Sequence, residues 1–497
     1  MISVLTNRIN MVGIMFLLQI ALLIWFFDVF ASQWYYLHLG SVIIGFMITL
    51  HLIAEDENPM YKMLWIILLL TLPVFGVMFY LYARTERLSI SSSSRMKRAQ
   101  TSREEELKKI QSHYSNNYLK HQKYLSNMNY PVYVNTKSKF LESGVEKQKE
   151  LLKALKTAKH FIFMEYFIIT KSKMWDEILE VLIKKQQEGV EIKIIYDDFG
   201  SATKLPFNYH KKLRKLGMEV VRFNPLRLHI KFSMNYRDHR KIVVIDNRIA
   251  FTGGINIGDE YTNKKKVFGE WNDAGIMVEG EAVWSFTVIF LENWYFSTKK
   301  PIDFTPYQLS HHINGVYQYI PFSDIPVDRH LTAKSIYLHL INDAKKVLYI
   351  TAPYLVIDNE VATALKLAAE SGVDVKIIIP SIPDKKLVYM VSESYVEELI
   401  DHGVKVYKYT PGFIHSKMII TDHQVAMIGS SNLDFRSLYM HLENNLWLND
   451  KETIDDMVKY YEETLQKSRQ ITASELKRRH IIYRIIQAIL RGFSPLL

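Results

Sequence analysis

Three apolar runs follow one another in the N-terminal part of the chain: Met11 to Phe27, Trp34 to Ile53 and Met63 to Ala83. At about 1.5 Å of rise per residue, the second and third are long enough to cross a hydrocarbon core of about 30 Å, and the first is borderline. The first run reads either as a further membrane helix or as a signal peptide, with Arg8 ahead of it and Val29-Phe30-Ala31 as the cleavage site. Trp25, Trp34, Tyr35, Tyr36, Trp65, Tyr80 and Tyr82 sit mostly near the run ends, where amphipathic rings prefer the interface, and Pro73 predicts a kink in the third run. From about residue 130 the pattern changes. His160 to Thr170 and Val190 to Tyr196 are short apolar, β-branched or aromatic runs, and Lys173 to Gln187 between them has helical periodicity that ends at Gly189. This βαβ pattern predicts an α/β fold.

The same arrangement then recurs. Ala158-Lys159 before HFIFMEYFI matches Ala344-Lys345 before KVLYITAPYLV, GVEIKIIYD matches GVDVKIIIP, and LGMEVVRFNP matches HGVKVYKYTP, so that Gly217 pairs with Gly403 and Pro225 with Pro411. The expected organisation is a membrane anchor of two or three helices over 1–88, a juxtamembrane linker over 89–129, one α/β half over 130–310, a second over 311–475 and a basic amphipathic C-terminal helix over 476–497. That last helix, carrying Arg478, Arg479, Arg484 and Arg491 among isoleucines, has two readings. It lies on an anionic membrane, or it packs on the soluble domain with its basic face in water.

Charge and composition narrow the function. Sixty-two Lys and Arg against 52 Asp and Glu give a formal charge of +10, which suits an anionic partner, either nucleic acid or an acidic lipid surface. A hydrophobic content of 48% excludes disordered and fibrous classes, and the absence of cysteine excludes disulfides, thiolate nucleophiles and Cys-ligated metal. Lys and Arg are sparse around the first loops and return at Arg84, Arg87, Arg95, Lys97 and Arg98, which places the large C-terminal part in the cytoplasm.

Each half carries His-x-Lys-x4-Asp followed by a small-residue turn and an Asn: His239, Lys241, Asp246, Gly254 and Asn256 in the first, His415, Lys417, Asp422, Ser430 and Asn432 in the second. Strand alternation points His and Lys, two residues apart, to one face, while the Asp lies off that face and reads as a supporting residue. The turn with Gly254 or Ser430 and the Asn that follows are expected to supply donors for an oxyanion. Two such faces meeting across a pseudo-twofold axis suit a phosphodiester. His229-x-Lys231 is a decoy, because Tyr236 stands where the Asp belongs.

The doubled motif resembles the phospholipase D superfamily, and the flanking text NYRDHRKIVVIDNRIAFTGGINIGDEY, YTPGFIHSKMIITDHQVAMIGSSNLDFRSL and the terminal SPLL resemble bacterial cardiolipin synthases over almost the whole chain. The resemblance implies tandem phospholipase D-type α/β/α sandwich domains behind a transmembrane segment. It implies transfer of a phosphatidyl group from one phosphatidylglycerol to another with release of glycerol, with His239 as nucleophile and His415 as general acid. Lys241, Lys417, Asn256 and Asn432 neutralise the phosphate, with no metal and no cofactor. It offers Asp273 and Glu443 as the carboxylates that orient the two imidazoles. Two departures, PFSDIPVD at 321–328 and Met440-His441-Leu442-Glu443, bear on the choice of acceptor. The rival readings are a membrane-tethered phospholipase D or nuclease using water, and a binding protein without turnover. The apolar runs favour lipid, so phosphatidylglycerol and anionic membrane lipid are the expected partners and nucleic acid is not. The sequence is compatible with a homo-oligomer and with a multi-pass protein of the cell membrane.

Overall fold

The second apolar run forms the helix that its pattern predicts, and the third does not. The computed structural model describes residues 17–25, 34–85, 90–110, 112, 119–226, 235–311, 313–328 and 330–496. Helix α1 (Trp34–Ala54) has 21 residues and is long and apolar enough to span a membrane. The third run breaks at Leu72 and Pro73 into α2 (Pro59–Thr71) and α3 (Pro73–Thr85), each of 13 residues. They fold back on each other rather than continuing through a kink. Trp65 meets Phe79 at 5.7 Å and Tyr80 at 5.2 Å between ring centroids, contacts that an unbroken helix would hold about 20 Å apart. Gly76 permits the reversal, since a Cβ there would stand 2.6 Å from the Leu68 carbonyl oxygen. At about 20 Å each, neither helix crosses a bilayer core. The expected kinked span is therefore corrected to a hairpin. Of the first run only residues 17–25 are described, and they are helical; Arg87, His229 and Lys231 lie outside the described residues.

The juxtamembrane stretch contains α4 (Ile90–Leu107), which packs along a helix of the catalytic region and is not a free linker. Beyond it, the first half builds β1 (Thr136–Leu141), β2 (Phe161–Tyr166), β3 (Glu191–Asp197), β4 (Glu219–Phe223), β5 (Lys241–Ile245), β6 (Ile249–Gly253), β7 (Glu270–Asn272) and β8 (Gly275–Gly280). All but β7 join one sheet in the order β1-β8-β6-β5-β2-β3-β4. The second half builds β9 (Tyr319–Asp324), β10 (Val347–Thr351), β11 (Leu355–Val356), β12 (Asp374–Pro380), β13 (Lys405–Tyr409), β14 (Gly412–Ile414), β15 (Met418–Thr421), β16 (Val425–Gly429), β17 (Leu433–Asp434), β18 (Glu443–Leu448) and β19 (Ser468–Gln470). Its main sheet runs β9-β18-β16-β15-β10-β12-β13-β19, the same design with one strand added at the edge.

Helices cover both sheets, as short parallel βαβ units require. In the first half α5 (Gly144–Lys156) and α6 (Lys173–Gln187) start at the capping hydroxyls of Ser143 and Ser172. On the opposite side lies α7 (Val283–Thr298), apolar all round and buried from Val283 to Trp294. In the second half α8 (Thr332–Asp343), α9 (Asn359–Glu370) and α10 (Lys386–Asp401) lie between the strands in sequence, and α11 (Phe435–Tyr439) and α12 (Lys451–Gln466) flank β18. One apolar cluster combines Phe163, Ile242 and Phe290 of the first half with Ile420, Leu446 and Tyr461 of the second. The chain ends with α13 (Ile481–Gly492) against α10.

Candidate active site

Parallel strand register sets each imidazole beside a carboxylate of the other half. β7 pairs with β14 so that Phe413 faces Trp271 and Ile414 faces Asn272; one step further along both strands, His415 faces Asp273. A second parallel bridge joins Asp238 to Leu442, where the His239 N–H donates to Leu442 O at 2.9 Å and the Leu442 N–H donates to Arg237 O at 2.8 Å. The same single step brings His239 to Glu443. His415 Nδ1 lies 2.7 Å from Asp273 Oδ2, and His239 Nδ1 lies 2.9 and 3.1 Å from the two oxygens of Glu443. A carboxylate can only accept, so each Nδ1 carries the proton and each Nε2 keeps its lone pair. Among the described residues neither Nε2 has a hydrogen-bond partner.

Lys241 and Lys417 lie on the same face as their histidines, and each ammonium donates to the carbonyl of the histidine two residues before it. Burial lowers Lys241 to about 8, and burial together with Lys241 lowers Lys417 to about 7. Burial pushes His239 well below its ordinary value, and burial with the Lys417 charge pushes His415 down to about 4. Burial alone would raise Glu443 and Asp273, but His239 and His415 outweigh it and hold both carboxyls below the usual range. An added anion would relieve this concentration of buried cations.

The remaining motif residues support the site from a distance. The Asp246 carboxylate accepts the backbone N–H groups of Lys159, His160 and Phe161 at 2.7, 2.8 and 2.8 Å. Asp422 does the same for Lys345, Lys346 and Val347 at 2.8, 2.7 and 3.0 Å. Both stand at the hairpin turn, at φ 51, one strand length from the imidazoles, and the structure does not bring them to the site. Gly254 and Ser430 do not offer free backbone donors: their N–H groups bond Ala274 O at 3.0 Å and Asn444 O at 2.9 Å. Both instead stand against the carboxylates. The Ser430 hydroxyl donates to Glu443, and a Cβ at Gly254 would stand 2.2 Å from Asp273 Oδ1. Asn256 uses its amide on the Ile168 N–H at 3.1 Å and the Tyr261 hydroxyl at 3.3 Å, whereas among the described residues the buried Oδ1 of Asn432 has no partner.

Three groups were not singled out from the sequence as site residues. The His441 ring lies 5.6 Å from that of His239, tilted by 42°, with its Nδ1 3.7 Å from Glu443 Oε1, and its place two residues before Glu443 was the available signal. The ligand atoms of His239, His441 and Glu443 lie within 4.8 Å of one another, a group able to hold a metal ion. Lys147 of α5, lowered by burial to about 7, donates to Ile255 O at 2.8 Å behind the site. Arg240, between the motif His and Lys, donates to Glu443 O at 3.2 Å and pairs with Glu292 of α7 at 3.3 Å. Glu292 also pairs with Arg103 of α4 at 3.3 Å. The juxtamembrane helix is thus tied to the catalytic strand through one buried carboxylate.

The α2–α3 hairpin also reaches the site's surroundings. Asn58, which caps α2, donates to the Tyr439 hydroxyl of α11 at 2.8 Å, and Ser437 of the same short helix donates to Glu443 at 2.7 Å.

A family model for the cardiolipin synthase PLD-like domain matches residues 151–280 and 337–465, and one for the phospholipase D-nuclease N-terminal region matches 43–84. A cardiolipin synthase of Alkalihalophilus pseudofirmus is 36% identical over 99% of this chain and 100% of its own length. A cardiolipin synthase of Halalkalibacterium halodurans is 37% identical over 92% of each chain. An uncharacterized protein of Streptococcus mutans is 39% identical over 90% of this chain and 99% of its own. Among solved structures, a phosphatidylserine synthase of Haemophilus influenzae superposes over 76% of this chain and 97% of its own with a TM-score of 0.57 at 15% identity, a likeness of fold alone.

Proposed function

Since the chain belongs to the cardiolipin synthase family of phospholipase D-like proteins, we propose that it condenses two phosphatidylglycerol molecules into cardiolipin and glycerol through a phosphatidyl-histidine. The observation that carries the reading is the crossed pair of dyads, which leaves two Nε2 lone pairs backed by carboxylates beside two lysines. His239 Nε2 attacks phosphorus, the bond from phosphorus to the glycerol oxygen breaks, and that oxygen takes a proton from His415. The hydroxyl of the second phosphatidylglycerol then returns a proton to His415, attacks phosphorus and displaces His239. Lys241 and Lys417 balance the phosphate charge. A bound phosphodiester anion restores the protonated state that burial denies His415, so the acid is charged when substrate is present.

Lipid rather than polynucleotide is supported by the contact chain from Asn58 through Tyr439 and Ser437 to Glu443, which sets the site close to the membrane hairpin. In this reading α1 spans the membrane, the hairpin enters and leaves on one side, and the first run spans ahead of α1. The lysine- and arginine-free loop between the first run and α1 then faces outward, and the catalytic halves, 130–310 and 311–475, face the cytoplasm.

The test is product analysis with phosphatidylglycerol as sole substrate. Cardiolipin and glycerol in equal amounts are expected, with label from the phosphatidyl group trapped as an acid-labile adduct on His239 and no turnover by His239→Ala or His415→Ala. Phosphatidic acid as the main product would place the protein among the hydrolases, and label on His415 would reverse the two histidine roles.

A further inference from the structure

The C-terminal helix is amphipathic in the opposite sense to that expected of a basic surface helix. Its cations pair with α10: Arg484 with Glu397 at 3.2 Å, Arg491 with Glu398, and Arg479, just ahead of the helix, with Glu393 at 2.6 Å. Tyr483 donates to Glu393 at 2.7 Å, the Gln487 amide donates to Met390 O at 2.7 Å, and Arg491 stacks on Tyr395 at 4.3 Å. The partners all lie on α10. The opposite face carries Ile481, Ile482, Ile485, Ile486 and Ile489, between 43 and 63% exposed, with Phe493 following. The i, i+1, i+4, i+5, i+8 spacing makes them one continuous stripe.

A row of β-branched apolar side chains in water costs solvation that a soluble surface would not retain without a partner. The position of the helix says what that partner is. Leu490 packs into the same apolar cluster as Met60 and Tyr61 at the start of α2, and the turn Ser494–Leu496 after α13 touches α2 itself. The C-terminal end of the stripe therefore lies beside the hairpin, where Met63, Ile67 and Leu70 are exposed.

We propose that α13 is a second membrane contact, lying in the interface with its isoleucine face in the acyl region while its arginines clamp it to α10. The anchoring force is burial of apolar area and not attraction to anionic headgroups, because the cations of this helix are already matched by glutamates. Together with the hairpin it fixes the catalytic domain at two points and so sets its tilt on the bilayer. The inference does not depend on the phosphatidyl-transfer reading.

The chain has no cysteine, so single cysteines can be introduced in the full-length protein at Ile482, Ile485 or Ile489 and labelled with a polarity-sensitive fluorophore. Val145, exposed on α5 of the first half, serves as control. In phosphatidylcholine vesicles the labels on α13 should shift to the blue and lose most of their emission to quenchers carried on lipid acyl chains. The Val145 label should do neither. The shift should be the same with phosphatidylglycerol present and in roughly tenfold higher salt, which shortens the range of charge interactions about threefold. Emission equal to that of the control would overturn the proposal. So would a shift that needs phosphatidylglycerol and vanishes in salt, or a shift without lipid quenching accompanied by cross-linking between copies. Agreement among the three positions guards against one substitution disturbing the helix.

Discussion

Asp273 and His415 are 142 positions apart in the chain and 2.7 Å apart in space, and they belong to opposite halves. His239 and Glu443 repeat the relationship in the other direction. Neither half contains a complete dyad of its own, and whatever shifts β7 against β14 shifts an imidazole against its carboxylate.

The first prediction concerns these bonds. Asp273→Asn and Glu443→Gln keep the shape but let the amide offer a donor to Nδ1, which favours the wrong tautomer. Each should lower kcat by at least about 10–100-fold, the cost typical of removing a partner that orients an active imidazole, with far-ultraviolet circular dichroism unchanged. Wild-type kcat in both variants would remove the dyads from the mechanism.

The second is a pH profile. His239, which burial pushes well below its ordinary value, must be neutral to attack, and Lys417 and Lys241 lose their charge through about 7 and about 8. A plot of kcat/KM, which reports the free enzyme, should rise above the acid limb and fall through the lysine values on the alkaline side. Both lysines are depressed relative to the unfolded chain, which therefore holds more protons above about pH 7, so stability of the lipid-free protein should increase with pH up to about 10. A stability curve that falls over that window would contradict the lysine shifts.

A third prediction separates motif membership from chemistry. Asp246→Ala or Asp422→Ala strips three backbone N–H groups of their acceptor and leaves a non-glycine residue at positive φ. Each should cost about 3 kcal/mol of stability by denaturant titration, the range for bonds to a charged acceptor, while the folded fraction keeps a kcat within a few-fold of wild type.

The hairpin gives a topological prediction. With α2 and α3 folded back, Asp56 lies on the same side of the membrane as the catalytic halves, whereas a continuous third span would put it on the other. Asp56→Cys in this cysteine-free chain should react with an impermeant maleimide only in inverted vesicles or after permeabilisation, as should a cysteine at Val145. Labelling of residue 56 from outside intact cells would restore the third span.

Chelation provides the last prediction. A metal ion held by His239, His441 and Glu443 would compete with the dyad for Glu443. Activity should therefore survive EDTA, and His441→Asn should not create a metal requirement. A loss in EDTA that one divalent ion restores would assign the cluster to catalysis.

The amino-acid sequence by itself determined the duplication, the two faces of His and Lys and the membrane character of the first helices, because each of these is written in local periodicity: alternation of two along β5 and β15, and an apolar run the length of α1. It also marked Asp246 and Asp422 as lying off the catalytic face, since an odd offset along a strand reverses the side chain. Which carboxylate serves which histidine was not local. It follows from parallel pairing between β7 and β14 and between Asp238 and Leu442, contacts made by segments far apart in the chain. The same holds for Gly254 and Ser430, whose N–H groups were claimed by sheet neighbours that no spacing rule reveals. Pro73 signalled a disturbance of the third run, but only packing of Trp65 on Phe79 and Tyr80, with Gly76 against Leu68, turned a kink into a hairpin. On α13 the pattern of isoleucines and arginines was plain in the sequence, while its orientation was decided by the glutamates of α10, which pair with Arg479, Arg484 and Arg491.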